Sequence, residues 1–237
     1  MRHALLLLLS LFLAVAAPLR AGAVERVTTA IVFAIDVSGS VNAARYALQR
    51  EGVAGVFADP DIADALGGGL AVAVMEWSDG QSVVVPWIIL RRESEARALA
   101  ERIRATPRVE GYSTAMSLAL LRAADLLAAC PCDPASRVID VSGDGPNNGP
   151  MSTTLARDQV VARGIRINGL PIVTPAEPDL ALWYRNNLVG GQGSFLEIAQ
   201  GYRDFARAMR RKFLNEVAAA PLPPRPRADP AQAAARP

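Results

Sequence analysis

The segment AIVFAIDVSGSVN, Ala30–Asn42, runs from an unbroken apolar stretch straight into alternating polar side chains. The apolar part predicts a strand over Thr29–Ile35 that is buried on both faces. Asp36, Ser38 and Ser40 then follow at every second position. One carboxylate and two hydroxyls at a strand end are consistent with a helix cap, a nucleophile or a cation site. The partner residues elsewhere in the chain must distinguish these three.

Strand-like and helix-like patterns alternate from residue 26 to residue 216. The predicted strands are Thr29–Ile35, Leu70–Trp77, Gln81–Ile89, Arg137–Val141 and Ile165–Val173, with a last edge strand at Ser194–Ile198 after a loop that contains Trp183. The predicted helices are Asn42–Ala58, Ser94–Ala105 with Ser94 as cap, Ala115–Ala129, one containing Asp158–Arg163, and Tyr202–Val217. This alternation predicts an α/β fold, a doubly wound and mostly parallel sheet with helices on both faces. The tight Ser78-Asp79-Gly80 turn predicts one antiparallel edge strand.

Three segments are expected along the chain. Residues 1–23 have a basic start, an apolar centre and a small-residue cleavage pattern, which predict a secretory signal peptide. Residues 24–219 form the predicted domain, and residues 220–237, rich in Pro, Ala and Arg, form a tail predicted to be disordered. No later apolar run reaches the roughly 18 residues that a spanning helix needs. We therefore expect a periplasmic or secreted protein with no membrane span in its mature form.

Charge and residue usage exclude several classes of function. Without residues 1–23 the chain has 23 basic and 23 acidic residues, and it lacks the clustered positive charge of a nucleic-acid binder. The single histidine, His3, lies in the predicted signal, so Ser-His-Asp catalysis and His-ligated zinc are excluded for the mature chain. Cys130 and Cys132 are separated by one residue. They are consistent with a small disulfide ring or with a reactive pair, and the spacing does not match the usual redox motif.

Two further loops supply oxygen atoms at the same predicted edge of the sheet. Thr114 precedes the third predicted helix, and Asp144 follows the strand Arg137–Val141. Ligands of doubly wound folds bind outside the carboxyl ends of the strands, where Asp36 and Asp144 are both expected. The three loops offer carboxylates and hydroxyls without nitrogen or thiolate donors. Such oxygen donors favour Mg²⁺ or Mn²⁺ over zinc or copper.

These residues resemble a known family. Over about residues 27–216 the chain is similar to a von Willebrand factor A (vWA) domain, and DVSGS (residues 36–40) resembles that family's Asp-x-Ser-x-Ser metal-ion-dependent adhesion site. Thr114 matches the threonine of the family's second loop, and Asp144 matches the aspartate of its third. The stretch RVIDVSGDG (residues 137–145), with Gly190 and Gly191, further resembles a group of exported bacterial proteins of this type whose function is uncharacterised.

The resemblance implies a role for each residue. Ser38 and Ser40 would bind the ion through their hydroxyls, and Asp36 would bind it directly or through water. Thr114 would alternate between direct and water-mediated contact, and Asp144 would act mainly through water. The remaining position would accept an Asp or Glu carboxylate from a partner protein, so the implied activity is binding, with no enzymatic reaction.

Other interpretations stay open at this level. Ser40 or Asp36 is equally consistent with a cap of the helix that follows, Thr114 with a cap of its own helix, and Asp144 with a turn residue. The domain is also consistent with a scaffold that carries a vestigial site. A Mg-dependent hydrolase with an aspartate after the first strand has less support, because its second carboxylate is replaced by Ser38 and the only lysine is Lys212.

Overall fold

The computed structural model describes residues 24–109 and 111–218. The predicted signal peptide and the predicted tail lie outside these residues and stay predictions. The strands of the described part are β1 (Glu25–Asp36), β2 (Leu70–Trp77), β3 (Gln81–Leu90), β4 (Cys132–Gly143) and β5 (Arg166–Pro171). The helices are α1 (Ala43–Ala58), α2 (Ala63–Leu66), α3 (Glu93–Arg104), α4 (Met116–Ala128), α5 (Thr153–Ala162), α6 (Leu180–Asn187) and α7 (Phe205–Ala218), with 3₁₀ turns at Pro60–Ile62 and Tyr202–Asp204.

The five strands form one sheet in the order β3-β2-β1-β4-β5. β1 lies at its centre and pairs in parallel with β2 and β4, while β4 pairs in parallel with β5. β3 returns antiparallel to β2 through the predicted turn, where the Ser78 amide donates to the Gly80 carbonyl over 2.8 Å. The predicted fold class, a mostly parallel sheet with one antiparallel edge strand, is confirmed.

Side chains of β1 alternate between two cores, as the twofold period of a strand requires. Phe33 points to the layer of α1, α3 and α7, where its ring centroid lies 5.6 Å from that of Phe57 and 6.0 Å from that of Phe213. Val32 and Ala34 point to the layer of α4, α5 and α6. Covering both faces explains the apolar sequence of β1, because fully burying one such large side chain stabilises the fold by about 1.5–3 kcal/mol.

Three sequence predictions differ from the structure. Trp183, expected in a loop, lies in α6, and Ser194–Ile198 forms a single isolated bridge, between Gly169 and Leu196, in place of a strand. Helix α3, predicted as Ser94–Ala105, begins at Glu93, and Ser94 is not its cap. Its preceding amides, those of Arg91 and Arg92, donate to the Glu95 carboxylate over 2.8 and 3.2 Å. Glu95 thus accepts from the amides that precede the helix, as the acidic residue of a capping box does.

Cys130 and Cys132, the first residue of β4, form a disulfide with 5.2 Å between their Cα atoms. The sequence is consistent with either a disulfide or a reactive pair of thiols, and the structure contains the disulfide. Within residues 24–109 and 111–218, no helix is long and apolar enough to cross a membrane.

Because β1, β2, β4 and β5 run in the same direction, their carboxyl ends meet at one edge of the sheet. Asp36 ends β1 and Asp144 directly follows β4, on the strand beside it. The fold therefore brings these two carboxylates, 108 positions apart in the chain, to the same edge.

Candidate functional site

The first loop folds back on the end of β1. The Ser38 amide donates to Asp36 Oδ1 over 2.7 Å, and the Val41 amide donates to the Ser38 carbonyl over 2.9 Å. The N-cap of α1 is Asn42, whose side-chain oxygen accepts from the Arg45 amide over 3.0 Å. Ser40 is therefore not the cap of this helix, and the structure leaves its hydroxyl available to another group.

Ser40 connects the first loop to the third. Its hydroxyl donates to Asp144 Oδ1 over 2.5 Å and lies 3.3 Å from the Ser38 hydroxyl. Arg45 also contacts Asp144, with 3.3 Å between Nη1 and Oδ2, and donates to the Ser40 carbonyl over 2.7 Å. Two hydroxyls and one carboxylate from distant parts of the chain thus converge, and Arg45, which the sequence did not single out, lies at their margin.

Gly143 sets the approach of the first loop to the third. A Cβ atom at this position would lie 2.8 Å from Asp36 Oδ2 and 2.9 Å from the Tyr184 hydroxyl, closer than such atoms pack. The absence of a side chain therefore lets the Asp36 carboxylate reach the end of β4. Tyr184 belongs to α6, the helix that the sequence interpretation missed, and its hydroxyl is buried without a hydrogen-bond partner in the described part of the chain.

The second loop is held against both others through its backbone. The Gly39 amide donates to the Tyr112 carbonyl over 3.2 Å. The Thr114 amide donates to the Asn148 side chain over 2.7 Å, and the Asn148 amide donates back to the Thr114 carbonyl over 3.0 Å. Thr114 is thereby fixed and buried, but among the described residues its hydroxyl makes no hydrogen bond to the other four predicted site residues.

The ionisation of Asp36 is strongly affected by its surroundings. The residue is fully buried, and within the described residues its Oδ2 has no hydrogen-bond partner. Burial raises the pKa of Asp36 to about 7; the hydroxyl and amide of Ser38 and the nearby Asp144 amide oppose the rise, and the charge of Asp144 adds to it. A buried, unpartnered carboxylate oxygen is costly unless a cation or a proton compensates it.

The donor set fits a hard divalent cation. It consists of the Asp36 and Asp144 carboxylates and the hydroxyls of Ser38, Ser40 and Thr114. In the described part of the chain, no three His, Cys, Asp or Glu side chains are grouped as metal ligands. A cation here would therefore depend on hydroxyls as well as carboxylates, a chemistry that suits Mg²⁺ or Mn²⁺. A cation bound by these five residues would explain why Asp36 Oδ2 is buried without a hydrogen-bond partner in the described residues.

Two tyrosines near the site were also missed by the sequence interpretation. Burial, followed by the charges of Asp36 and Asp144, raises the pKa of Tyr184. Burial and Asp144 likewise raise the pKa of Tyr202, whose ring lies 5.1 Å from the Arg45 guanidinium. Both phenols stay neutral at physiological pH. Tyr184 offered no signal in the sequence, because the placement of its side chain depends on α6 packing beneath the third loop.

Solved structures share this fold. Proximal thread matrix protein 1 from the mussel byssus, in a structure with a zinc-occupied MIDAS motif, aligns with 18% identity and a TM-score of 0.57, covering 83% of this chain and 47% of that one. The pilus adhesin SpaC from Lactobacillus rhamnosus GG aligns with 14% identity and a TM-score of 0.59, covering 82% and 31%. A von Willebrand factor type A protein from Catenulispora acidiphila aligns with 18% identity and a TM-score of 0.54, covering 80% and 42%.

At these identities the likeness establishes the fold, which is that of a vWA domain. The chain spans less than half the length of each of these three proteins. No curated protein sequence matches it. A family model, described as a protein of unknown function (DUF1194), matches residues 26–221, and the chain belongs to this family.

Proposed function

We propose that the chain is an exported protein-binding module without enzymatic activity. It captures an Asp or Glu side chain of a partner protein through Mg²⁺ or Mn²⁺ held at a metal-ion-dependent adhesion site. The proposed ligands are Asp36, Ser38, Ser40, Thr114 and Asp144. The observation that carries the proposal is Asp36 Oδ2, a buried carboxylate oxygen that lacks a partner in the described residues and lies beside linked hydroxyls and a second carboxylate.

A bound cation would compensate the charge that burial makes costly. Ser38 and Ser40 would contribute hydroxyl oxygens, and Asp36 would bind directly or through water. Thr114 would alternate between direct and water-mediated contact, and Asp144 would bind mainly through water. The loop holds the Asp36 carboxylate in an orientation that suits cation binding. The Ser38 amide donates to Oδ1, whereas Oδ2 has no hydrogen-bond partner among the described residues. When bound, the cation would supply a Lewis-acidic position for an outside carboxylate.

The rim of the site supports binding more than catalysis. Residues 24–218 contain no histidine to act as a general base, and the single lysine, Lys212, is fully buried in α7. Tyr112 stands at the edge of the second loop with 86% of its surface exposed. An exposed aromatic side chain beside a cation site is well suited to contact a partner protein, because aromatic residues are enriched at interfaces. The mussel protein with zinc at its MIDAS motif supports a divalent cation in such a domain.

One observation favours a second candidate, an interaction scaffold that uses no metal. The Arg45 guanidinium and the Ser40 hydroxyl both contact Asp144, so the charge of this carboxylate is compensated within the protein. The unpartnered oxygen of Asp36 weighs against this alternative, because Arg45 does not contact it.

Metal binding and partner capture test the proposal together. Calorimetric titration of the purified protein with MgCl₂ or MnCl₂ should give one site, and Asp36→Asn should abolish it. Asp64→Asn, which removes an exposed carboxylate in α2, should leave it unchanged. Proteins captured from an extract of exported proteins should be lost with EDTA and with Asp36→Asn. A captured set that survives both changes would support the scaffold and remove the cation from the mechanism.

A further inference from the structure

A cavity lies at the opposite edge of the sheet from the candidate cation site. Its volume is about 720 Å³, within the usual range of small-molecule sites. Arg137, in the first half of β4, and Arg166, the first residue of β5, both line it, beside the loop Gly191–Gly193. Because these strands are parallel, the cavity lies at their amino ends, whereas Asp144 follows the carboxyl end of β4. It is therefore separate from the candidate cation site.

The charge of this cavity is uncompensated in the described part of the chain. No aspartate or glutamate lines it, and neither of its two arginines forms an ion pair with an acid of residues 24–109 or 111–218. Nearby Arg163, by contrast, pairs with Asp125 over 2.8 Å. A cavity lined by two arginines and by no acid attracts an anion, because the anion compensates its positive charge.

Arg166 is held in place for such a contact. Its Nη2 atom donates to the Ser136 hydroxyl over 2.8 Å, which fixes the plane of the half-buried guanidinium. A Cβ atom at Gly193 would lie 3.5 Å from Arg166 Nη1, so the loop and the guanidinium are close neighbours. A fixed guanidinium loses little conformational freedom on binding an oxyanion.

The loop beside Arg166 has the backbone of an anion-binding turn. Gly191 and Gly193 have φ of 93° and 72°, in the left-handed region that glycine adopts without steric cost. A Cβ atom at Gly191 would lie 3.0 Å from the Ile165 carbonyl oxygen, so a larger residue does not fit. Within the described residues, the amides of Gln192 and Gly193 donate to no acceptor. Successive free amides in turns of this kind form concavities that bind anions.

We propose that this cavity binds a small organic phosphate monoester. Two arginines and two backbone amides offer more donors than the two oxygens of one carboxylate use, whereas a phosphate has three peripheral oxygens and up to two charges. The cavity is far larger than a phosphate group. The organic part packs against its apolar wall, formed by Ala135, Val161 and Ile165.

Calorimetry with defined anions tests this site. The probes are inorganic phosphate, phenyl phosphate, citrate and chloride at equal ionic strength, titrated into the full chain. Wild type should bind phenyl phosphate more tightly than inorganic phosphate, and citrate and chloride only weakly. Arg137→Gln combined with Arg166→Gln should weaken phenyl phosphate binding at least tenfold. Arg102→Gln, which removes an exposed charge from α3, should leave it unchanged.

Two controls establish that the arginine variants fold and that the cavity is independent of the cation site. Circular dichroism establishes that the double variant folds, and Arg137→Gln alone, at an exposed position, provides a second test with an expected loss of at least threefold. Mg²⁺ affinity should be the same in wild type and double variant, so failure of the cation site does not affect this result. Absence of phosphate binding, tighter binding of citrate, or equal binding by the arginine variants would overturn the proposal.

Discussion

Lys212 Nζ lies 2.5 Å from Asp140 Oδ1 in the fully buried space between α7 and β4. The same ammonium lies 2.5 Å from Glu216 Oε1, which also accepts from the Asn168 side chain of β5 over 2.7 Å. One ammonium and two carboxyl groups are thus enclosed in the core, and they connect the last helix to two strands. Breaking a buried ion pair is much more costly than breaking an exposed one, because the remaining charge cannot reach water.

Lys212→Met should therefore destabilise the fold strongly. Methionine fills a similar volume but leaves Asp140 and Glu216 facing each other without a cation, and we expect a loss of about 3–5 kcal/mol in the free energy of unfolding. Arg211→Met is the matched control. Arg211 pairs with Glu197 over 3.2 Å at a side chain that is 66% exposed, and its loss should cost about 1 kcal/mol or less. Urea unfolding followed by circular dichroism measures both, and equal costs would contradict the buried-pair explanation.

Asp140 should make stability depend on pH. Burial, and then the charge of Glu216, raises the pKa of this carboxyl above its ordinary value of 3.8, while Lys212 opposes the rise. The folded protein therefore holds a proton that the unfolded chain has released, so this contribution is complete below pH 3.8 and is lost as pH rises toward neutrality. The charged or polar groups around Asp140 are Lys212 and Glu216 of α7 and its neighbour on β5, Asn168, whose side-chain amide donates to Glu216.

Asp140→Asn removes this titration. The free energy of unfolding of wild type, compared with that of the variant, should fall between about pH 4 and pH 7. Parallel urea titrations at several pH values, without divalent cations, give the difference. A difference that stays constant over this range would show that Asp140 does not change its protonation on unfolding.

The fold was largely predictable because its strongest signals are local. Runs such as Ala30–Ile35 are apolar over their whole length, and Phe205, Met209 and Phe213 are spaced by four residues, the spacing of one helix face, and are buried in the core. Side-chain partners were not predictable in the same way. Lys212 directly follows Arg210 and Arg211 in the sequence, and its fully buried position follows only from how α7 lies on β4 and β5.

In the candidate site, too, the positions of residues in the fold were predictable, whereas the contacts of their side chains were not. The positions of Asp36 and Asp144 at adjacent strand ends follow from the order of strands and helices. The link from Ser40 to Asp144 does not, because it joins residues 104 positions apart through side-chain geometry. Arg45 was missed for the same reason: on a surface helix one arginine resembles another until the third loop is placed beside it.

Arg45→Gln should strengthen cation binding. The guanidinium lies 3.3 Å from Asp144 Oδ2, where its positive charge opposes a divalent ion at the same carboxylate. With the screening of bulk water, as suits a partly exposed guanidinium, such repulsion amounts to about 1 kcal/mol, so we expect Mg²⁺ to bind roughly fivefold more tightly. Arg97→Gln in α3, which breaks an exposed pair with Glu93, should not alter the affinity. Weaker binding in Arg45→Gln would instead mean that Arg45 holds Asp144 in its binding position.

Gly143→Ala tests whether the close approach of β4 to Asp36 matters for the cation. The new methyl group would lie 2.8 Å from Asp36 Oδ2 and 2.9 Å from the Tyr184 hydroxyl, so one of these groups must move. Because Asp36 is the proposed ligand with an oxygen to spare, its displacement should weaken Mg²⁺ binding at least tenfold. Unfolding should become easier by about 1–3 kcal/mol, the usual cost of overpacking.

Gly145→Ala, two residues further along the same loop, is the matched control. A Cβ atom there meets nothing within 4 Å among the described residues, and its φ is not in the left-handed region. This variant should bind Mg²⁺ as wild type does and unfold at nearly the same urea concentration. Calorimetry and urea unfolding of the two alanine variants separate contact with Asp36 from a general effect on the loop. Equal loss of Mg²⁺ binding in both would mean that loop flexibility, and not the position of the Asp36 carboxylate, limits the affinity.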